Sequence, residues 1–184
     1  MSTPKFRVIS IDPGSNNTGF SVIDFDPSTG WKDIIFSETI NQKDSTANQK
    51  ALIEIYGERP IRIKQVTKFL GELIDTYEPD VVVSEAPFMG RFPAAFRALA
   101  ELVFAFKALV IERYSPLEFV DVDPPSVKKA MGVNGKSSDK DDMTNALISR
   151  DDLSYAEDIN VTALDEHAVD SICVGLWFIG TISK

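Results

Sequence analysis

Three strand patterns follow one another at the start of the chain: FRVISID (6–12), TGFSVIDF (18–25) and KDIIFSETI (32–40). The links between them are short and rich in Pro, Gly, Asn and Ser, the residues that turns require. Strands in immediate succession with such links predict an antiparallel meander. The first of them ends in a carboxylate, Asp12, followed by Pro-Gly. A buried strand that ends in a charge needs a partner or a purpose. The spacing Gly14 to Gly19 resembles a phosphate-binding loop. However, Phe20 and Ser21 stand where the lysine and hydroxyl of that motif belong, which excludes it.

After a polar stretch (41–50) read as a loop, apolar residues recur at helical spacing from Arg59 to Tyr77. Glu-Pro-Asp then stops the helix. VVVSE (81–85) is a short apolar run suited to a central strand covered on both faces. Pro93 to Tyr114 predicts a helix apolar round much of its circumference, hence buried. LEFVDV (117–122) predicts a fifth strand. DPPSVKKAM opens a short helix with its prolines in the first positions, GVNGKSS is a loop, and 139–149 a further helix. Asp165 is placed to cap a last helix running to about Ile179. The expected architecture is one α/β domain over residues 1–184, a mixed five-stranded sheet with helices on both faces. That order of elements resembles the ribonuclease H-like fold.

Glu85 ends its strand as Asp12 ends the first. If the two strands are parallel neighbours, both carboxylates emerge at one rim of the sheet, where open α/β sheets hold ligands. On the last helix, Glu166, His167 and Asp170 are spaced to share a face. Crowded carboxylates raise one another's pKa unless a cation neutralises them. Hard oxygen donors with one imidazole suit Mg²⁺ or Mn²⁺. Two such ions about 4 Å apart can support phosphodiester hydrolysis. Each residue alone has a plainer reading: Asp12 as a turn residue, Asp165 as a cap, His167 as a structural histidine.

The net charge of −9 argues against nonspecific nucleic-acid binding, but its distribution is uneven. Residues 86–140 carry +2 and residues 141–184 carry −7. Cys173 is the only cysteine, so no intrachain disulfide can form; it reads as a small core residue. No apolar run reaches membrane-spanning length and MSTPKFRVIS has no signal-peptide core, so a cytoplasmic protein without membrane contact is expected.

Four stretches together resemble the RuvC-type Holliday junction resolvases: ISIDPGSNNTGFSVI, RIKQVTKFLGELIDTYEPDVVVSEAPFM, PPSVKKAMGVNGKSSDKDDM and DEHAVDSICVGL. The resemblance implies a structure-selective endonuclease acting on four-way and other branched DNA. It further implies a homodimer using two Mg²⁺ ions per active site, with Mn²⁺ as a substitute. It gives catalytic, metal-binding roles to Asp12, Glu85 and Asp170. His167 stands where many members have Asp, and could bind metal or move a proton, with Glu166 sharing the missing carboxylate's duty. Phe88 matches an aromatic residue that stacks against bases at the junction, although it could equally cap the core, and Met89 beside it joins the DNA-binding set. Arg91, Lys128, Lys129, Lys136 and Lys140 match the basic DNA-facing segment, and Arg97 could join them. The helix after Glu85 is more apolar than the family's polar, Gly-containing stretch that packs across the dimer. The overall acidity resembles phage-borne members more than the cellular bacterial enzyme. Competing readings are a nuclease acting on RNA–DNA hybrids, a branched-DNA-binding module without catalysis, and an actin-like phosphotransferase. The last needs a duplicated domain that 184 residues cannot hold.

Overall fold

The computed structural model describes residues 5–43, 49–89, 92–133 and 141–183. The opening meander forms as β1 (Phe6–Asp12), β2 (Asn17–Phe25) and β3 (Lys32–Asn41), each antiparallel to the next. After α1 (Lys50–Tyr56) and α2 (Glu58–Tyr77), β4 (Val81–Glu85) returns parallel to β1, and after α3 (Pro93–Arg113), β5 (Glu118–Val122) lies parallel to β4. Next come α4 (Pro124–Ala130), α5 (Asp141–Ile148), β6 (Leu153–Tyr155) and α6 (Glu166–Ile182). The sheet order is β5-β4-β1-β2-β3-β6.

The sheet has six strands where five were expected. β6 is three residues long and pairs with Lys32–Ile34 at the edge, too short to show any alternation in sequence. Between the polar stretch 41–50 and the helix expected from Arg59, residues for which the sequence predicts no element form the helix α1, set off from α2 by Gly57 at φ +83°. Glu78 ends α2 in the left-handed conformation just before Pro79. The long α3 is buried along one face only, through Leu102, Val103, Phe106 and Val110. Phe104 and Ile111 stand about 70% exposed on the other.

Alternation along the strands divides the core between the two faces. Ile9, Ile11, Phe20, Val22 and Val82 pack beneath α2 and α3. Val8, Ile23, Val81 and Val83 pack beneath α4, α5 and α6, where Cys173 is fully buried. Burial of a large side chain such as Phe20 or Phe106 contributes about 1.5–3 kcal/mol, so two such layers hold the sheet from both sides.

The helix α6 lies unusually near the sheet. A Cβ on Gly19 of β2 would fall 1.9 Å from the His167 carbonyl oxygen, and one on Gly175 of α6 would fall 2.8 Å from Ser10 Oγ. In that narrow space the Ser21 and Ser171 hydroxyls share a hydrogen bond of 2.5 Å, and Ser171 donates to the Ala168 carbonyl at 2.8 Å. Asp165 caps the helix as expected, accepting from the backbone N–H of His167 and Ala168. These contacts fix the first two turns of α6 over the end of β1.

Candidate active site

β1 and β4 are parallel neighbours with Ile11 opposite Ser84, so the next residue of each, Asp12 and Glu85, emerges at the same rim. Asp12 is only 8% exposed, and Glu85 is half-buried. From above, α6 brings His167, whose Nδ1 lies 2.6 Å from Asp12 Oδ2, in the geometry of an imidazole N–H donating to the carboxylate. That hydrogen bond, against the effect of burial, holds the His167 pKa above its ordinary value, and the charges of Asp12, Glu166 and Asp165 add to it.

The remaining carboxylates feel one another strongly. Burial pushes Glu85 up to about 8, with the charges of Asp12 and Asp170 acting in the same direction. Asp170 is pushed up to about 6 by burial and by Asp12. Lys128 on α4 opposes both shifts, so its ammonium lies near enough to be felt at the rim. Glu166 lies outside this group. It is exposed and borders a depression with Asp141, Asp165 and His167, and its charge reaches His167 and Asp170. Among the described residues, no three acidic, histidine or cysteine side chains already converge as a finished metal cage. Chemically, three crowded carboxylates and an imidazole are a hard-donor set short of positive charge, which fits a divalent cation.

Beside the carboxylates runs an open depression of about 580 Å³ formed by Phe88, Pro124, Pro125, Lys128, Lys129 and Val133. Phe88 is 62% exposed, so it does not cap the core; Met89, next to it, is equally open. Lys129 is exposed like Lys128. Arg97 is committed to Glu101 at 2.7 Å on α3. Arg91, Lys136 and Lys140 lie outside the described residues.

One positioning residue was not foreseen. Gln42, 2% exposed, donates through Nε2 to the Gly14 carbonyl at 2.7 Å and to Thr18 Oγ1 at 2.9 Å. Its backbone N–H reaches the Asn16 carbonyl at 2.8 Å. It thereby pins the turn that follows Asp12. A glutamine in a polar stretch shows no periodic cue, so its burial is visible only in three dimensions.

The sequence pattern of the family described as "Crossover junction endodeoxyribonuclease RuvC" matches residues 8–173, from β1 into α6 and through all four rim residues. The chain belongs to the RuvC family.

RuvC of Salinibacter ruber is 28% identical over 153 residues, which cover 82% of this chain and 77% of that protein. RuvC of Xanthomonas oryzae pv. oryzae is 32% identical over 111 residues, covering 60% of this chain and 57% of its own. Among solved structures, T. thermophilus RuvC in complex with Holliday junction substrate superposes with a TM-score of 0.69 at 17% identity, over 96% of each chain. The yeast mitochondrial Holliday junction resolvase gives 0.70 at 15% identity, over 97% of this chain and 80% of its own. These likenesses establish the RuvC, RNase H-like fold, with its sixth strand as an edge addition to the five expected.

Proposed function

We propose that this RuvC-family chain is a structure-selective endonuclease that resolves Holliday junctions by metal-dependent phosphodiester hydrolysis. The observation that carries the reading is the joining of Asp12, Glu85, His167 and Asp170 at one rim, with Glu85 and Asp170 raised by burial and by neighbouring charge. Asp12, Glu85, Asp170 and Nε2 of His167 would hold two Mg²⁺ ions, Mn²⁺ substituting. Bound there, the ions supply activation of a water and charge neutralisation on the leaving oxygen. Asp12 orients the imidazole through Nδ1, which leaves Nε2 as the ring nitrogen for a ligand or a proton. Phe88 offers an exposed ring on which a base at the crossover can stack, and Lys128 and Lys129 take up phosphates beside it. Glu166 stays at the periphery and adds negative potential.

The chain works as one domain within a homodimer, since paired nicks across a two-fold junction need two cutters related by the same symmetry. The exposed Phe104 and Ile111 on α3 give a second copy apolar surface to cover. The test is purified protein with Mg²⁺ on labelled four-way, three-way, flap and linear duplex DNA and on an RNA–DNA hybrid. Symmetrical nicks on the four-way junction are expected. Equal cutting of every substrate, or preference for the hybrid, would overturn the reading. Sedimentation showing only monomer, with and without DNA, would remove the dimer.

A further inference from the structure

On the far side of the turn that follows Asp12 lies a cavity of about 330 Å³. Its walls are Ser15 and Asn16 of the turn, Glu58, Arg59 and Arg62 of the first turns of α2, and an apolar floor of Ile63 and Leu102. Arg62 is the central group, its side chain only 16% exposed. Nη1 donates to Asn16 Oδ1 at 3.1 Å, and Nη2 pairs with Glu58 one helical turn earlier. Nε is buried and meets no acceptor among the described residues.

A guanidinium presents Nε–H and one Nη–H as a two-pronged edge that matches two oxygens of a phosphate. Here one prong lacks an acceptor and the other rests on Glu58, a side chain 56% exposed. Ion pairs of exposed carboxylates contribute little, whereas a buried donor without a partner is costly. A phosphate oxygen that replaces Glu58 on Nη2 and brings a second oxygen to Nε gains more than it displaces. Arg59, half-exposed and paired with Glu101 at 3.2 Å, stands at the mouth as a second cation. The wall is held firm, because Gln42, which also borders the cavity, pins the turn. The same turn leads directly from Asp12, so a strand crossing the carboxylate rim can continue over it.

We propose that this cavity is a phosphate subsite of the nuclease. It takes a backbone phosphate of the strand being cut, near the scissile one, on the Nε–Nη2 edge of Arg62. Ser15 and the Asn16 amide donate from the turn, and the sugar rests on Ile63 and Leu102. The proposal rests on the nuclease reading and adds to it a contact that places the strand.

The test is a set of four-way junctions, each carrying one neutral methylphosphonate at a position flanking the cut. Binding is measured in EDTA and cleavage in Mg²⁺. One methylphosphonate should weaken wild-type binding about tenfold, as expected for one charge-assisted contact. Arg62→Gln should weaken binding of the unmodified junction to the same degree, lower the salt slope by about one phosphate contact, and be indifferent to that methylphosphonate. Ser15→Ala, at an exposed position with little bearing on folding, should show the same coupling at the same phosphate to a smaller extent. If both variants and every methylphosphonate combine additively, the subsite is wrong. If wild type binds unmodified junctions but never cuts them, the nuclease reading fails while the binding coupling is still read.

Discussion

Metal-free protein should lose stability as pH rises through Glu85. Folded, this carboxyl holds its proton up to about 8, against an ordinary value of 4.5. Between those values the folded chain keeps a proton that the unfolded chain has released, so unfolding becomes easier with each step up in pH. At about 1.4 kcal/mol per pKa unit, the loss between pH 5 and pH 8 has a ceiling of about 3.5 kcal/mol. Glu85 keeps some contact with water and has Lys128 nearby, which we take to reduce the net loss to about 2 kcal/mol. For a domain of this size that is a fall in Tm of about 4–8 °C. Asp170, raised to about 6, adds to the fall below that pH. Glu85→Gln removes the titrating group while keeping its shape. Its Tm in EDTA should therefore decline less from pH 5 to pH 8, and the gap between the two proteins reports Glu85 together with the rim carboxylates coupled to it. Mg²⁺ at pH 8 should raise the wild-type Tm far more than that of the variant, because the proposed site binds the cation through the charged carboxylate of the folded state. Parallel melting curves for wild type and Glu85→Gln in EDTA would show that the rim carboxylates are not in electrostatic conflict.

Asp12→Asn and Asp170→Asn should each cut four-way junctions at less than about a tenth of the wild-type rate while binding them normally, since in the proposed site each loses a metal ligand, which removes chemistry rather than contact. Asp12→Asn should also return the His167 pKa toward its ordinary value, readable by NMR titration, because the Asp12 hydrogen bond is the largest cause of its rise. A raised imidazole pKa keeps the proton on at higher pH, so wild-type activity should climb between pH 6 and pH 8 as His167 releases it. His167→Asp should keep substantial activity with a flatter profile, and His167→Ala should lose far more. Gly19→Ala puts a methyl 1.9 Å from the His167 carbonyl, so α6 must lift. Urea unfolding should show a loss of about 1–3 kcal/mol, and cleavage should fall further than stability alone explains.

The elements that place the rim residues could be read in the sequence because each carries its own local signal. Asp12 and Glu85 close apolar runs, Asp165 precedes an apolar helix, and the Pro-Pro at 124–125 marks the start of α4. The rest depended on contacts between distant residues. LSY at 153–155 becomes a strand only through its pairing with Lys32–Ile34. Whether α3 is buried on one side or all round depends on what covers Phe104 and Ile111, which its own pattern does not say. Glu166 and Asp170 are one turn apart, yet one is exposed and the other half-buried at the rim, a distinction set by the rotation of α6 on the sheet. Gln42 and Arg62 have no motif at all; their roles come from the turn they hold and the cavity they border.

The hydrogen bond between Asp12 and His167 joins residues 155 positions apart, the first strand to the last helix. During synthesis, Asp12 and Glu85 leave the ribosome on strands that can pair at once, while half of the rim is still untranslated. Only the arrival of α6, pressed against β2 at Gly19, completes the rim. A nascent chain still lacking that helix holds two of the rim carboxylates without His167 and Asp170, and on the proposed reading it cannot cut. On the proposed reading, the order of the elements thus delays the ability to cut DNA until α6 has joined the two strands at the rim.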